Sequence, residues 1–176
     1  MGFFDLLKKK ATEKRDYLLQ WQKTVLADDV NKLIMTEQQL REATLQQAQN
    51  DLRIINDCKR LIETTLKPDV FFMRLNLLVE KAAHLCELEK YISFSSVSPA
   101  TAYTEVKNEY NQAVKQFLIR YFSDTFDKAE KMKTAKGKIG KYQKFYDSLQ
   151  EYYCYMNEEN IDYIETKFKA YTRIIK

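Results

Sequence analysis

The only histidine of the chain, His84, is the residue type best suited to metal or acid–base chemistry. Glu80 precedes it by four residues and Glu87 follows it by three, so the three side chains would share one face of a helix. Di-iron bundles use such faces, but they combine two Glu-x-x-His pairs with two further glutamates. Here the order is reversed and the sequence has no second histidine. We therefore predict no metal and no cofactor, and a histidine that is exposed or hydrogen-bonded.

Two further patterns of catalysis are also missing from the sequence. A Ser-His-Asp or Cys-His arrangement would require His84 to meet a nucleophile from another helix, and no local motif suggests one. The stretch KGKIGK (136–141) is not a phosphate-binding P-loop, because GxxxxGK followed by Ser or Thr is absent. We predict that the protein is not an enzyme and has no small-molecule substrate.

Residues 128–144 carry the strongest local charge. The run holds one acid, Glu130, and seven lysines: Lys128, Lys131, Lys133, Lys136, Lys138, Lys141 and Lys144. Its net charge of +6 exceeds the +4 of the whole chain. Such a run could bind phosphates of nucleic acid or lipid through charge alone. It could equally be a solvated helix end, since cations favour a helix C-terminus.

The N-terminal segment MGFFDLLKKK is amphipathic. Phe3, Phe4 and Leu7 make it a candidate membrane contact, next to three consecutive lysines. Binding strength follows the buried apolar area, and ten residues offer little. Leu6 also occupies the position where a myristoylation signal needs Ser or Thr. Docking of these three side chains on the rest of the fold is therefore the preferred interpretation, with membrane contact as the alternative.

The elements that must position these residues are helices. Of 176 residues only three are Gly and two are Pro, which leaves few turns and implies long elements. Apolar residues follow helical spacing almost throughout. We predict an all-α bundle of about five or six helices with long antiparallel helical hairpins. The predicted helices cover residues 3–26, 37 to the residues before Pro68, 70–92, 99–134, 141–155 and those after Asn157.

Local signals set several of these boundaries. Lys14 interrupts the apolar stripe of the first helix, so residues 1–26 form an amphipathic helix that is kinked or partly separate, and 27–176 form the bundle domain. Thr36 to Gln39 has the form of a capping box. Pro68 marks a hairpin corner, with Asp69 as the cap of the third helix. Gly137 and Gly140 are expected to end the fourth helix.

Two residue patterns favour interaction over catalysis. The second helix carries a coiled-coil-like seam with Lys59 in its one polar slot: Leu45, Ala48, Leu52, Ile55, Ile62 and Leu66. Seven of the twelve tyrosines lie between Tyr142 and Tyr171. Tyrosines with buried rings and wet hydroxyls at the rim of the core are the preferred explanation, and a platform for stacking bases is the alternative.

Three segments resemble a known family. These are residues 63–94, ETTLKPDVFFMRLNLLVEKAAHLCELEKYISF, and the later TAKGKIGKYQKFYDSL and ENIDYIETKF. Their most specific pattern is Pro-Asp-x-Phe-Phe-x-Arg-x-x-Leu-Leu, from Pro68 to Leu78. They are similar to uncharacterised all-helical proteins of Gram-positive bacteria and their phages. The resemblance implies a helical fold and a bacterial or phage origin, and it implies no activity and no functional residue.

The remaining sequence features concern location and role. Cys58, Cys86 and Cys154 are odd in number and widely spaced, a secretory signal is missing, and no apolar run is long enough to span a membrane. We expect a cytoplasmic protein, with peripheral membrane contact as the alternative. The expected function is a non-enzymatic interaction or scaffold module that binds a protein partner or itself. The alternative is a charge-driven binder of nucleic acid or anionic membrane through Lys128 to Lys144.

Overall fold

The structure, a computed structural model, describes residues 3–27, 32–94 and 99–174. These residues contain no strand, and the predicted all-α bundle is confirmed. Six α-helices follow one another: α1 (Phe3–Leu26), α2 (Glu37–Thr64), α3 (Pro68–Glu89), α4 (Pro99–Glu130), α5 (Ala135–Gln150) and α6 (Glu158–Ile174). A single 3-10 turn, Tyr153–Tyr155, precedes α6.

Helix α2 begins where the capping box predicts. The backbone N–H of Gln39 donates to Thr36 Oγ1 at 3.3 Å, and the backbone N–H of Thr36 donates to Gln39 Oε1 at 2.9 Å. Both otherwise unpaired donors at the start of the helix are thereby satisfied. At the start of α6, the side-chain Oδ1 of Asn157 accepts the backbone N–H of Asn160 at 3.0 Å.

Helix α3 begins two residues earlier than predicted. The carbonyl of Lys67 accepts the N–H of Phe71 at 2.9 Å, so Lys67 and not Asp69 is the residue that flanks the first turn. Pro68 therefore occupies the first helical position, where its missing N–H costs nothing. Asp69 lies inside the first turn, where a carboxylate interacts favourably with the helix dipole.

The predicted role of the two glycines is wrong. Helix α4 ends at Glu130, and Thr134, with extended backbone angles (φ −121°, ψ 144°), begins α5 by accepting the N–H of Gly137 on its side chain at 3.1 Å. Gly137 and Gly140 lie inside α5 and end no helix. The cap explains the error, because Thr134 satisfies a free donor at the helix start and so favours helix through both glycines.

The chain forms two compact units. The first comprises residues 1–54 and 80–103, and the second comprises residues 55–79 and 104–176. This division differs from the boundary predicted after residue 26. Helix α1 belongs to the first unit together with the first half of α2 and the second half of α3.

Two side chains of α1 explain why it belongs to the first unit. Trp21, 1% exposed, donates its indole N–H to the buried Thr44 hydroxyl of α2 at 2.9 Å. Gln22 is fully buried, and its Oε1 accepts the backbone N–H groups of Ile34 and Met35 at 3.0 and 2.9 Å. A buried amide with several partners fixes the connection that leads into α2.

His84 joins three segments of the first unit. Its Nδ1 lies 2.6 Å from Asp51 Oδ2 on α2, and its Nε2 lies 3.1 Å from the carbonyl oxygen of Thr24 on α1. Asp51 is fully buried, and Gln47 donates to its other oxygen at 3.0 Å. A carbonyl oxygen only accepts, so Nε2 is the donor to Thr24, and the short contact of Nδ1 with Asp51 links α3 to α2.

The predicted seam of α2 is half wrong. Ala48 and Ile55 are buried, but Leu45 and Leu52 are 49% and 45% exposed, and Leu66 beyond the helix is also exposed. The buried face is a different row: Leu40, Thr44, Ala48, Asp51, Ile55 and Cys58. Polar Thr44 and Asp51 belong to it because Trp21 and His84 supply their hydrogen bonds.

Aromatic rings form the core of the second unit. Phe71 of α3 stacks on Phe117 of α4 with centroids 4.1 Å apart. Phe145 of α5 lies 5.0 Å from Tyr121 and 5.5 Å from Phe122, both on α4. These contacts bury the start of α3 against α4 and fix α5 on the other side of α4's aromatic row.

Two tyrosines contradict the predicted wet rim, because the hydroxyls of Tyr142 and Tyr153 are both buried without a hydrogen-bond partner among the described residues. Tyr142 is fully buried beside Phe122 and Tyr171, and its hydroxyl has no hydrogen-bond partner among the described residues. Burial raises the pKa of Tyr142 to about 12, with nearby Glu130 adding to the shift. The rings of this region fill the core, but the hydroxyl of Tyr142 does not reach water.

Replacing His84 with Leu should lower the free energy of unfolding by about 1–3 kcal/mol, because the buried Asp51 carboxyl group would lose a hydrogen-bond partner. Replacing His84 and Asp51 together with Leu should cost less, since no buried polar group is then left without its partner. Urea unfolding followed by circular dichroism measures both. Glu87→Gln, an exposed change on α3, is the matched control. A single variant no less stable than the double variant would contradict this account.

Candidate anion-binding cleft

The structure does not assemble the predicted glutamates around His84. The ring is occupied by Asp51 and Thr24, while Glu80 lies 3.1 Å from Lys81 and Glu87 lies 2.6 Å from Lys90. No group of three His, Cys, Asp or Glu side chains suited to a metal occurs among the described residues. His84 is therefore a structural hydrogen-bonding residue.

The N-terminal candidates are only partly described. The side chains of Phe3 and Phe4 lie outside the described residues, whereas Leu7 is 47% exposed and every residue from 7 to 17 is exposed. Leu7 thus does not dock as the preferred interpretation required, because none of the described side chains from residue 7 to residue 17 is buried. None of the described helices is both long and apolar enough to cross a membrane. Membrane contact by this segment stays a prediction.

A cleft in the second unit gathers part of the lysine run. It has a volume of about 350 Å³ and is formed by the α2–α3 corner, the last turns of α4 and the middle of α5. Nine residues line it: Leu66, Lys67, Tyr121, Asp124, Thr125, Lys128, Lys141, Lys144 and Phe145. We call it the lysine cleft.

Three of the seven predicted lysines line this cleft, and one cation of the cleft was missed. Lys128, Lys141 and Lys144 come from the run, and Lys67 comes from the corner before Pro68. Lys67 is far from the run in sequence and stands in no charged pattern. Only the fold of the second unit shows that it belongs with the others, so no sequence signal identified it.

The other four lysines of the run lie outside the cleft lining. Lys138 pairs with Glu130 at 2.8 Å. Lys131, Lys133 and Lys136 are exposed and do not line the cleft. The lysines of the +6 run are therefore divided between the cleft and other parts of the surface.

The cleft is rich in uncompensated positive charge. Lys128 Nζ lies 2.7 Å from Asp124 Oδ2, the only carboxylate in the lining. The ammonium groups of Lys67, Lys141 and Lys144 have no ion pair or hydrogen bond within the part of the chain that the structure describes. Four cations and one carboxylate leave a net charge of +3.

Apolar packing forces these charges together. Phe145 is 2% exposed and lies between Lys141 and the end of α5, against the rings of Tyr121 and Phe122. The hydroxyl of Tyr121 is 3.0 Å from Ser148 Oγ, which adds a polar link between α4 and α5. This packing keeps Lys128 of α4 and Lys141 of α5 at the same cleft. Like charges that share a cleft repel, so the packing offsets an electrostatic cost.

The chemistry available to the cleft is binding. An ammonium group is a compact charge with three donors, well suited to phosphate oxygens. Thr125, the one lining hydroxyl on an aliphatic side chain, donates to the carbonyl of Tyr121 at 2.8 Å. The lining residues therefore include no pair of nucleophile and base.

Comparison with known proteins adds no family: no family model, no curated protein and no solved structure matches this chain. By its fold and its cleft, the chain is an all-α bundle with a lysine-lined cleft. The similarity of Pro68 to Leu78 to helical proteins of Gram-positive bacteria and phages stays a prediction.

Replacing Lys141 and Lys144 with Gln should leave the fold intact and keep the free energy of unfolding at low salt within about 1 kcal/mol of the original, or raise it, because repulsion is removed. Any rise in the free energy of unfolding should vanish at about 1 M salt, where the screening length falls to about 3 Å. Urea unfolding at both salt concentrations measures this. Lys131→Gln with Lys133→Gln changes the net charge equally outside the cleft. A large loss of stability in the cleft variant alone would show that these lysines support the fold.

Proposed function

We propose that this chain is a non-enzymatic helical protein that binds phosphate groups through the lysine cleft. The observation that carries the proposal is that Lys67, Lys141 and Lys144, whose ammonium groups have no partner among the described residues, line one cavity of about 350 Å³. Unpaired like charges reduce stability, so their arrangement at one cavity favours a role in binding. The cytoplasmic location expected from the sequence is part of this proposal.

The proposal narrows the charged run to a defined site. Lys138 is already paired with Glu130, and a ligand would have to break that pair to use it. Lys67, Lys141 and Lys144 carry no such cost. Lys128 is intermediate, because Asp124 holds it but leaves it at the cleft wall. Nucleic acid and anionic lipid both present phosphates, and the source is what the binding test distinguishes.

Binding should depend on charge and be weak. At about 50 mM salt we expect the protein to be retained by duplex DNA, single-stranded RNA or anionic liposomes, with three or four phosphate contacts. Three or four contacts on duplex DNA give a slope of about −3 in log affinity against log salt. Fluorescence anisotropy for the nucleic acids and liposome sedimentation for the lipid measure retention.

Four substitutions in the cleft should abolish this retention: Lys67→Gln, Lys128→Gln, Lys141→Gln and Lys144→Gln. The matched control replaces the four lysines of the same run that do not line the cleft with Gln: Lys131, Lys133, Lys136 and Lys138. The control should keep most of the binding. If none of the three phosphate carriers is retained at low salt, or if both variants lose binding equally, the cleft is not the site.

A second function, self-association, is favoured by two leucines of α2. Leu45 and Leu52 are 49% and 45% exposed and lie seven residues apart, which places them on one face of the helix. Helices with apolar residues at this interval commonly pack on a second helix. Their partner in this proposal is α2 of a second copy of the chain.

If α2 pairs with a second copy, light scattering after size exclusion should give a mass that rises with concentration toward that of a dimer. Leu45→Glu with Leu52→Glu should return the mass to that of a monomer, because it places charges in an apolar contact. Gln46→Glu with Asn50→Glu, which lie away from the face of the two leucines on α2, adds the same charge and should leave association unchanged. A monomer at every concentration would rule out this second function.

A further inference from the structure

We infer that the lysine cleft accommodates one compact oligophosphate, the linked di- or triphosphate group of a small molecule, in preference to the backbone of a polymer. This inference rests on the proposed function and specifies its ligand. It follows from the size of the cleft, from the directions in which its cations are supplied, and from its single carboxylate.

The size of the cleft favours a small ligand. Its volume of about 350 Å³ lies at the lower end of small-molecule sites, which span about 300–1,000 Å³. A nucleic acid instead presents charges in a continuous line, about one per 1.7 Å of duplex axis. Lys131, Lys133 and Lys136 do not line the cleft, so the run supplies no extension of the site beyond Lys128, Lys141 and Lys144.

The cations of the cleft come from three separate elements. Lys67 precedes α3, Lys128 lies near the end of α4, and Lys141 and Lys144 lie on α5. A ligand with several linked phosphates offers more oxygens to cations on three elements than a single phosphate does. The net +3 of the cleft also exceeds the charge of one phosphate group, about −1.5 to −2 at neutral pH. Two or three linked phosphates match it better.

The direction in which Asp124→Asn changes the affinity for phosphate provides a test. The Asp124 carboxylate neutralises Lys128 and repels any anion in the cleft. If the cleft binds an oligophosphate, Asp124→Asn should strengthen binding, because it releases Lys128 and raises the net charge. If Asp124 instead holds Lys128 in a position that binding requires, the same change should weaken it. We expect the first result, because Asp124 is partly exposed and a pair between residues four apart on one helix contributes little to stability.

Isothermal titration of the full chain with sodium triphosphate, pyrophosphate and orthophosphate, at one fixed ionic strength, measures the preference. We expect one triphosphate per chain, bound about tenfold or more tightly than orthophosphate, because charge-assisted contacts add up across the elements. Lys141→Gln with Lys144→Gln should weaken the binding of triphosphate about tenfold. Lys131→Gln with Lys133→Gln should change it by less than about twofold, the size of an exposed charge effect. Asp124→Asn should bind several-fold more tightly.

A competition experiment separates the two proposals. Triphosphate should displace labelled duplex DNA from the chain at equal phosphate concentration. If DNA binds through the cleft but triphosphate neither binds nor displaces it, this inference is overturned and the proposed function stands. If neither ligand binds, both are overturned. Equal losses in the cleft variant and in the Lys131, Lys133 variant would also overturn the inference, because binding would then belong to diffuse charge.

Discussion

The packing of Phe145 against Tyr121 and Phe122 is the contact on which the lysine cleft depends. Full burial of one phenylalanine side chain is worth about 1.5–3 kcal/mol, and the ring pairs add about 0.5–1.5 kcal/mol. Exposed charge pairs are worth about 0–1 kcal/mol. The apolar contact therefore outweighs the cost of the unpaired charges in the cleft, and α5 stays beside α4. The lysines line one cleft because the core places their helices there and in spite of their charge.

The first unit contains a buried set of hydrogen-bonded polar groups that stabilises the fold. Asp51 is fully buried, yet its two oxygens meet Gln47 and His84, and His84 in turn meets a backbone carbonyl. Each polar atom of this set has a partner, which is the property of a group that stabilises a fold. The ammonium groups of Lys67 and Lys144 have none within the described ranges of the chain. That contrast is why we assign structure to the histidine and binding to the lysines.

The sequence was informative at several boundaries with a local signal, although the two glycines of α5 and the expected cap at Asp69 misled. The extent of α1, the capping box at Thr36 and the proline corner at Pro68 depend on neighbours within four residues, and the structure places helix starts or ends at each. Contacts between distant residues were not accessible in this way. The seam of α2 shifted because Asp51 finds its partner on another helix, and Lys67 joined the cleft because α3 and α5 meet the same part of α4. Apolar spacing carries no record of such partners.

Nuclear magnetic resonance of the lysine side chains during titration with sodium triphosphate tests the central claim most directly. The signals of four lysines should shift together with one common affinity: Lys67, Lys128, Lys141 and Lys144. The signals of Lys131 and Lys133 should stay nearly constant, although they belong to the same charged run. Small shifts of equal size across all lysines would contradict the account, because they would show a diffuse ionic atmosphere where a built cleft is claimed.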